Sequence, residues 1–179
     1  FCDNQFAEGD YVDAQLRYRK AIKAAPDFAE AYFRRGQAMI ALGQYDLAAE
    51  AIKQGLRLKP TWAISGNRLD DLYRDNDEAQ EAHLVALLQE LNKQPLNADL
   101  EFLVAWQMYF GGQRAGSQRH FEQAAQIAED QRHLEGFLAV FEPQADQQQP
   151  MGRIDIEAAQ LDNTRPKLQP DPIRVGAEF

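Results

Sequence analysis

Polar and apolar positions alternate along the chain at helical spacing, and the clearest stretch runs from Asp27 to Pro60. Asp27 followed three residues later by Glu30 is a capping-box pattern, in which side chains take up the exposed N–H groups of a helix start. Apolar or small positions then recur at Ala31, Tyr32, Ala38, Met39 and Leu42, the period of one helix face. Gly43 interrupts the run, since glycine adopts the left-handed conformation that ends a helix. The period resumes from Tyr45 to Leu58 through Ala48, Ala51, Ile52, Gly55 and Leu56, and Pro60 stops it. The pattern predicts two helices joined by a tight turn.

The same pattern recurs about 34 residues earlier. Pro60 falls on Pro26, Gly43 on Gly9, Tyr45 on Tyr11, Ala48 on Ala14, Ile52 on Tyr18 and Gly55 on Ala21. A helix–turn–helix unit of this length, with glycine in its turn and proline at its end, resembles the tetratricopeptide repeat. Asp27–Pro60 keeps that family's aromatic at Tyr32, small residues at Gly36, Ala48 and Gly55, a bulky apolar residue at Ile52, and Pro60. It departs at Arg35, where leucine is usual, and at Met39, where an aromatic is usual. The resemblance implies an all-α, right-handed solenoid of about four repeats. It speaks to architecture more than to ligand, because the motif residues mostly hold helices together.

The rest of the chain is read in that register. Phe1 to Glu8 is expected to be the end of a first helix, as in a fragment or processed chain, with Asp10–Ala24 as its partner. A degenerate third copy starts at Thr61, an expected N-cap, with Leu69, Leu72 and Tyr73 on its inner face. Its turn is expected over 75–78, with Asp77 capping a helix that runs to about Lys93. Asn97 is expected to cap the next helix, which continues to Phe110 before the Gly111-Gly112 turn; Gly112 lies 69 residues after Gly43. Asp130–Phe141 reads as a helix that covers the open end of the array. The helical array is therefore placed at 1–142, and 143–179, rich in proline and glutamine, is expected to be an extended or disordered tail.

Charge narrows the function classes. Residues 1–60 carry nine Lys/Arg against eight Asp/Glu, whereas 61–142 carry six against fourteen. An acidic second half argues against binding a phosphate backbone and favours a basic or apolar protein or peptide partner. Cys2 is the only cysteine, so no internal disulfide forms. No apolar run approaches the ~20 residues that span a bilayer. His83, His120 and His133 fall on three different predicted helices, and no catalytic, phosphate-binding or metal-binding motif is present. Asp75–Glu78 lacks the glycine that a calcium loop needs. The sequence implies no enzyme activity, cofactor or metal, and it assigns no compartment beyond a lean towards the cytoplasm.

The resemblance places a concave groove along the first helix of each repeat. Its lining would be Glu30, Phe33, Gln37 and Ile40 in the second repeat, then Ile64, Asn67, Asp71 and Arg74 in the third. In the fourth it would be Asp99, Phe102, Trp106, Tyr109 and Phe110. Trp106 and Phe102 equally suit burial against the end-capping helix. The carboxylate clamp found in one version of the family is not reproduced: Phe33 stands at its lysine position and Arg34 at an asparagine position. Arg34 and Arg68 recur one period apart, which leaves a looser anion contact open. The expected function is a non-catalytic scaffold that binds a peptide or protein in this groove. Its rivals are an RNA-binding repeat of the pentatricopeptide kind and an accessory segment of a larger enzyme or assembly. The segment Thr164–Val175, with Arg165, Lys167 and Arg174, is a candidate internal ligand for the groove.

Overall fold

The computed structural model describes residues 2–66, 68–74 and 76–142; the expected tail, including its candidate ligand segment, and Asn67 lie outside the described residues. Among the described residues all regular structure is helical. The order is α1 (Cys2–Ala7), α2 (Tyr11–Ala24), α3 (Ala29–Ala41), α4 (Tyr45–Leu58), α5 (Trp62–Ser65) and α6 (Asp70–Tyr73). It continues with α7 (Asp77–Lys93), α8 (Ala98–Phe110), α9 (Arg114–Ile127) and α10 (Glu135–Phe141).

Three tight turns carry the repeat. Gly9, Gly43 and Gly112 sit between α1/α2, α3/α4 and α8/α9 with φ of +83°, +69° and +86°, a backbone region that other residues rarely adopt. Within the second hairpin, α3 and α4 approach through their small residues. A Cβ built on Gly55 would lie 2.5 Å from Phe33 Cε1, and one on Gly36 2.5 Å from Ile52 Cγ1. Ala48 and Ile52 are fully buried between these helices.

Helix starts differ from the sequence reading in their caps. α3 begins at Ala29 with Phe28 as N-cap and no side-chain cap bond, so the Asp27/Glu30 capping box does not form. Glu30 instead pairs with Arg34 one turn on, at 2.6 Å. Asn76, not Asp77, caps α7 by accepting from the Ala79 N–H at 3.1 Å. Thr61 makes no side-chain cap bond. Asn97 caps α8 as expected, accepting from Asp99 and Leu100 N–H at 3.0 and 3.1 Å.

The third copy keeps its length and its second helix, α7, but its first helix is two single turns. The break falls in the low-propensity run after Ser65. Gly66 there is extended, with φ −67° and ψ 148°. A side chain at Gly66 would meet Phe110 Cε1 and Trp62 Nε1, both at 2.6 Å. Arg74 then ends α6 at φ +55°.

This broken segment covers the first helices of the repeats. α6 packs on α1, α7 on α3 and α8, and α8 on α4 and α9. Phe6 of α1 meets the Tyr73 ring edge-on at 4.9 Å, and Tyr11 of α2 meets His83 at 5.1 Å. α10 closes against α5 and α9, its Phe137 stacking on Phe121 at 4.5 Å. The face expected to stand open is therefore largely occupied by the chain itself.

Candidate functional site

A buried polar network joins the covered face. Gln37 Nε2 donates to Tyr73 Oη at 2.9 Å and to Gln107 Oε1 at 2.8 Å, while Gln107 Nε2 donates to Tyr73 Oη at 3.3 Å. With two bonds accepted, the Tyr73 hydroxyl sends its own proton towards His83 Nδ1, 2.7 Å away. Burial supports both protonation states: it pushes Tyr73 well above the usual phenol range and lowers His83, keeping the imidazole neutral. α3, α6, α7 and α8 are thus tied at one point.

Beside this network a cleft of about 40 Å³ remains between α3, α5, α6 and α8. Its apolar wall is formed by Phe33, Trp62, Trp106 and Phe110. Phe33 stacks on Trp62 at 4.4 Å and on Trp106 at 5.4 Å, and Trp106 meets Phe110 at 4.5 Å. The rim carries charges of both signs, Glu30 and Arg34 from α3, Arg68 from the α5–α6 link and Asp71 from α6. Arg68 pairs with Asp70 at 2.8 Å, although both side chains are substantially exposed. Two atoms of the lining side chains have no hydrogen-bond partner. Trp106 Nε1 and Gln37 Oε1 are buried without a hydrogen bond.

The structure divides the sequence-derived groove residues sharply. Glu30, Phe33, Gln37, Asp71 and Trp106 come together around the cleft. Phe33, Gln37 and Trp106 are buried there rather than displayed, at 4%, 1% and 2% exposure. Ile40 and Phe102 are interior residues at 2% and 0%, so neither presents a surface to a partner. Tyr109 is also interior: its hydroxyl donates to the Ala63 carbonyl at 2.7 Å and its ring meets Phe137 at 5.2 Å. Trp106 both lines the cleft and meets Phe137 of α10 at 6.1 Å, whereas Phe102 packs on Phe121 and His133. Arg74 is exposed but turned to α1, donating to Asn4 Oδ1. Asp99 faces α4, where it pairs with Lys53. Ile64 is exposed on α5, away from the cleft lining.

Trp62 was not among the groove positions, yet it forms one wall. Its signal was an aromatic residue two positions after Pro60, where the chain must turn back over the preceding hairpin. A second, wider depression of about 720 Å³ lies at the ends of α7 and α9, around Pro95, Leu96, Asp99 and Asp130. Of its ionic groups, Lys53 pairs with Asp99, and Asp130 with Arg132 at 2.7 Å. Nearby, burial and the positive charge of Lys53 hold His133 down to about 4. Among the described residues no group of three or more His, Cys, Asp or Glu side chains is placed to hold a metal ion. No described helix is long and apolar enough to cross a membrane.

The paired helices and glycine turns agree with comparison to known proteins. The family profile described as tetratricopeptide repeat matches residues 5–64, from α1 into α5. Residues 5–64 carry tetratricopeptide-repeat sequence. In general terms such a repeat segment is a protein-interaction scaffold. Among solved structures, that of MamA aligns at 23% identity over 71% of this chain and 74% of that one, with a TM-score of 0.35. So low a likeness carries nothing about arrangement or ligand. No curated protein matches. The tetratricopeptide match covers only part of the cleft: Glu30, Phe33, Arg34, Gln37 and Trp62 lie inside it, while Arg68, Asp71, Trp106 and Phe110 lie beyond it.

Proposed function

We propose that this chain is a non-catalytic protein-interaction module whose partner, an extended peptide segment, docks over the cleft between α3, α5, α6 and α8. The observation that carries the reading is the cleft's composition: aromatic walls from three separate elements under a rim of two acids and two arginines. Aromatic side chains offer large contact area at low ordering cost, and rim charges set orientation and approach rate. Asp71 is exposed, and the acidic surface of the chain's second half favours a segment with a basic residue beside the one entering the cleft. Glu30 and Asp71 repel a phosphate backbone, which weighs against the RNA reading.

Peptides selected from a displayed library on the full chain provide the test, read by tryptophan emission. The only two tryptophans both border the cleft. Selected peptides should alter that emission. Asp71→Lys should weaken basic peptides about two- to fivefold without lowering the melting temperature, as expected for a rim charge. Arg17→Glu, on the exposed face of α2, should leave affinity unchanged. Selected peptides that bind without changing either tryptophan, and that ignore Asp71→Lys, would place the interaction elsewhere.

A further inference from the structure

A second opening adjoins the cleft. It lies between α5, the end of α8 and the start of α9, has a volume of about 280 Å³, and shares Arg68 and Phe110 with the cleft lining. Its floor is apolar, with Ala63, Tyr109 and Phe110 buried there. Ile64 borders it at 79% exposure, a large apolar side chain left open to water. The charges are of one sign: Arg68 and Arg114 line the pocket, and among the described residues no acid does. Residues 61–142 hold six Lys/Arg against fourteen Asp/Glu, so two arginines around one acid-free pocket run against the composition of that half.

Both guanidinium groups are held with donors to spare. Arg114 lies over the Tyr109 ring at 4.6 Å, which occupies its face and leaves N–H groups along its edge. Arg68 contacts a single oxygen of Asp70, and its Nη2 would stand 3.1 Å from a Cβ on Gly112, so it reaches the α8–α9 turn. Two arginines less one aspartate leave one positive charge at the pocket. One carboxylate balances that charge, whereas a phosphate near −2 exceeds it.

We infer that the partner segment runs on from the cleft across Arg68 into this pocket, and sets there a Glu or Asp side chain next to an apolar residue. The inference rests on the cleft being the partner site. The carboxylate accepts from the guanidinium edges, a forked geometry that lysine does not reproduce, and the apolar neighbour covers Ile64. Glu30 and Asp71 line the cleft but not the pocket, so the two openings call for opposite charges. The partner is then selected by the order of its charges as well as by their sign.

Peptides selected on the full chain are the probe, with synthetic variants of the tightest one. They should carry Glu or Asp beside an apolar residue, at a fixed distance from the basic residue. Exchanging that acid for its amide should weaken binding about two- to fivefold. Arg114→Glu should weaken it about three- to tenfold and restore binding to a peptide with Lys in place of the acid. Arg114 is exposed, and glutamate suits the first turn of α9, so the melting temperature should hold. Equal weakening by Arg17→Glu would reduce the effect to net charge and overturn the inference. Peptides that alter tryptophan emission and respond to Asp71→Lys but ignore Arg114→Glu would overturn it too, while leaving the cleft as the partner site. A response to Arg114→Glu alone would overturn the joining of the two openings. Tenfold tighter binding of a phosphoserine variant than of the Glu peptide would refute the assignment to a carboxylate.

Discussion

Gly55→Ala tests the packing on which both the repeat and the cleft depend. Two effects oppose each other. Alanine is the better helix former by about 1 kcal/mol, and Gly55 lies inside α4. Its new Cβ, however, would stand 2.5, 2.8 and 2.9 Å from three carbons of the Phe33 ring. That ring is 4% exposed and stacked against both Trp62 and Trp106, so it cannot swing aside without moving two larger rings. Overpacking a confined core site costs about 1–3 kcal/mol, and this confinement puts the cost at the upper end. The net loss is then about 2 kcal/mol, or about 4–8 °C in melting temperature for a chain of this size. Gly116→Ala is the control, since its Cβ would meet only the terminal Met108 methyl at 2.6 Å. That residue is exposed in the first turn of α9, and alanine there should be neutral or stabilising by up to about 1 kcal/mol. Urea unfolding followed by helicity and by tryptophan emission gives both numbers. A Gly55→Ala protein as stable as the parent, with unchanged emission, would refute the close α3–α4 approach against a fixed Phe33.

Three further outcomes follow from the buried polar groups. Tyr73→Phe removes the hydroxyl shared by Gln37, Gln107 and His83, and should cost about 1–3 kcal/mol in urea unfolding while preserving helicity. His120→Ala strands the Glu101 carboxylate, which is 5% exposed and bonded to His120 Nδ1 at 2.6 Å. A loss of about 3–5 kcal/mol is expected, and a smaller loss for Glu101→Gln, which keeps an acceptor, would support the charge as its cause. His133 supplies the pH dependence: its folded value, lowered to about 4 by burial and Lys53, lies below its unfolded value near 6.5. The unfolded chain therefore takes up the proton first, so this contribution to stability is complete above about 6.5 and is lost as the pH falls towards about 4. The wild type should lose more stability between pH 7 and pH 4.5 than His133→Gln does, and equal losses would contradict the shift.

Much of the framework could be read directly from residue spacing. Tyr45–Leu58 forms with the expected ends, α7 stops at Lys93, Asn97 caps α8, and Gly9, Gly43 and Gly112 occupy the turns. These are local features, set by propensity, capping and conformational freedom within a few residues. The caps at Asp27 and Asp77 failed for an equally local reason: in each case the helix began with a neighbouring residue in the cap position. The groove could not be read the same way, because periodicity identifies an apolar face without saying what covers it. Phe33 and Ile40 lie on such a face, and only the tertiary return of later helices decides that they are interior. One warning was present. Phe102 to Trp106 is an unbroken apolar run, and a helix that is apolar on every side is a buried helix rather than the wall of an open groove.

The departure from the repeat is what creates a distinctive surface. An unbroken first helix in the third copy would have placed its residues on one regular face, as in the hairpins before it. The break near Gly66 instead frees Trp62 to lie on Phe33 and lets Leu69 donate its backbone N–H to the Phe110 carbonyl at 3.0 Å. These two contacts bring α5 and α6 to the same gap as α3 and α8. Trp62, Arg68, Leu69, Asp71 and Leu72 all line that gap, and all come from the stretch with no intact repeat helix. Restoring the helix would therefore remove half of the cleft while improving the repeat. The sequence features that most weaken the tetratricopeptide pattern in this chain are the ones that give it a site with its own shape and charge.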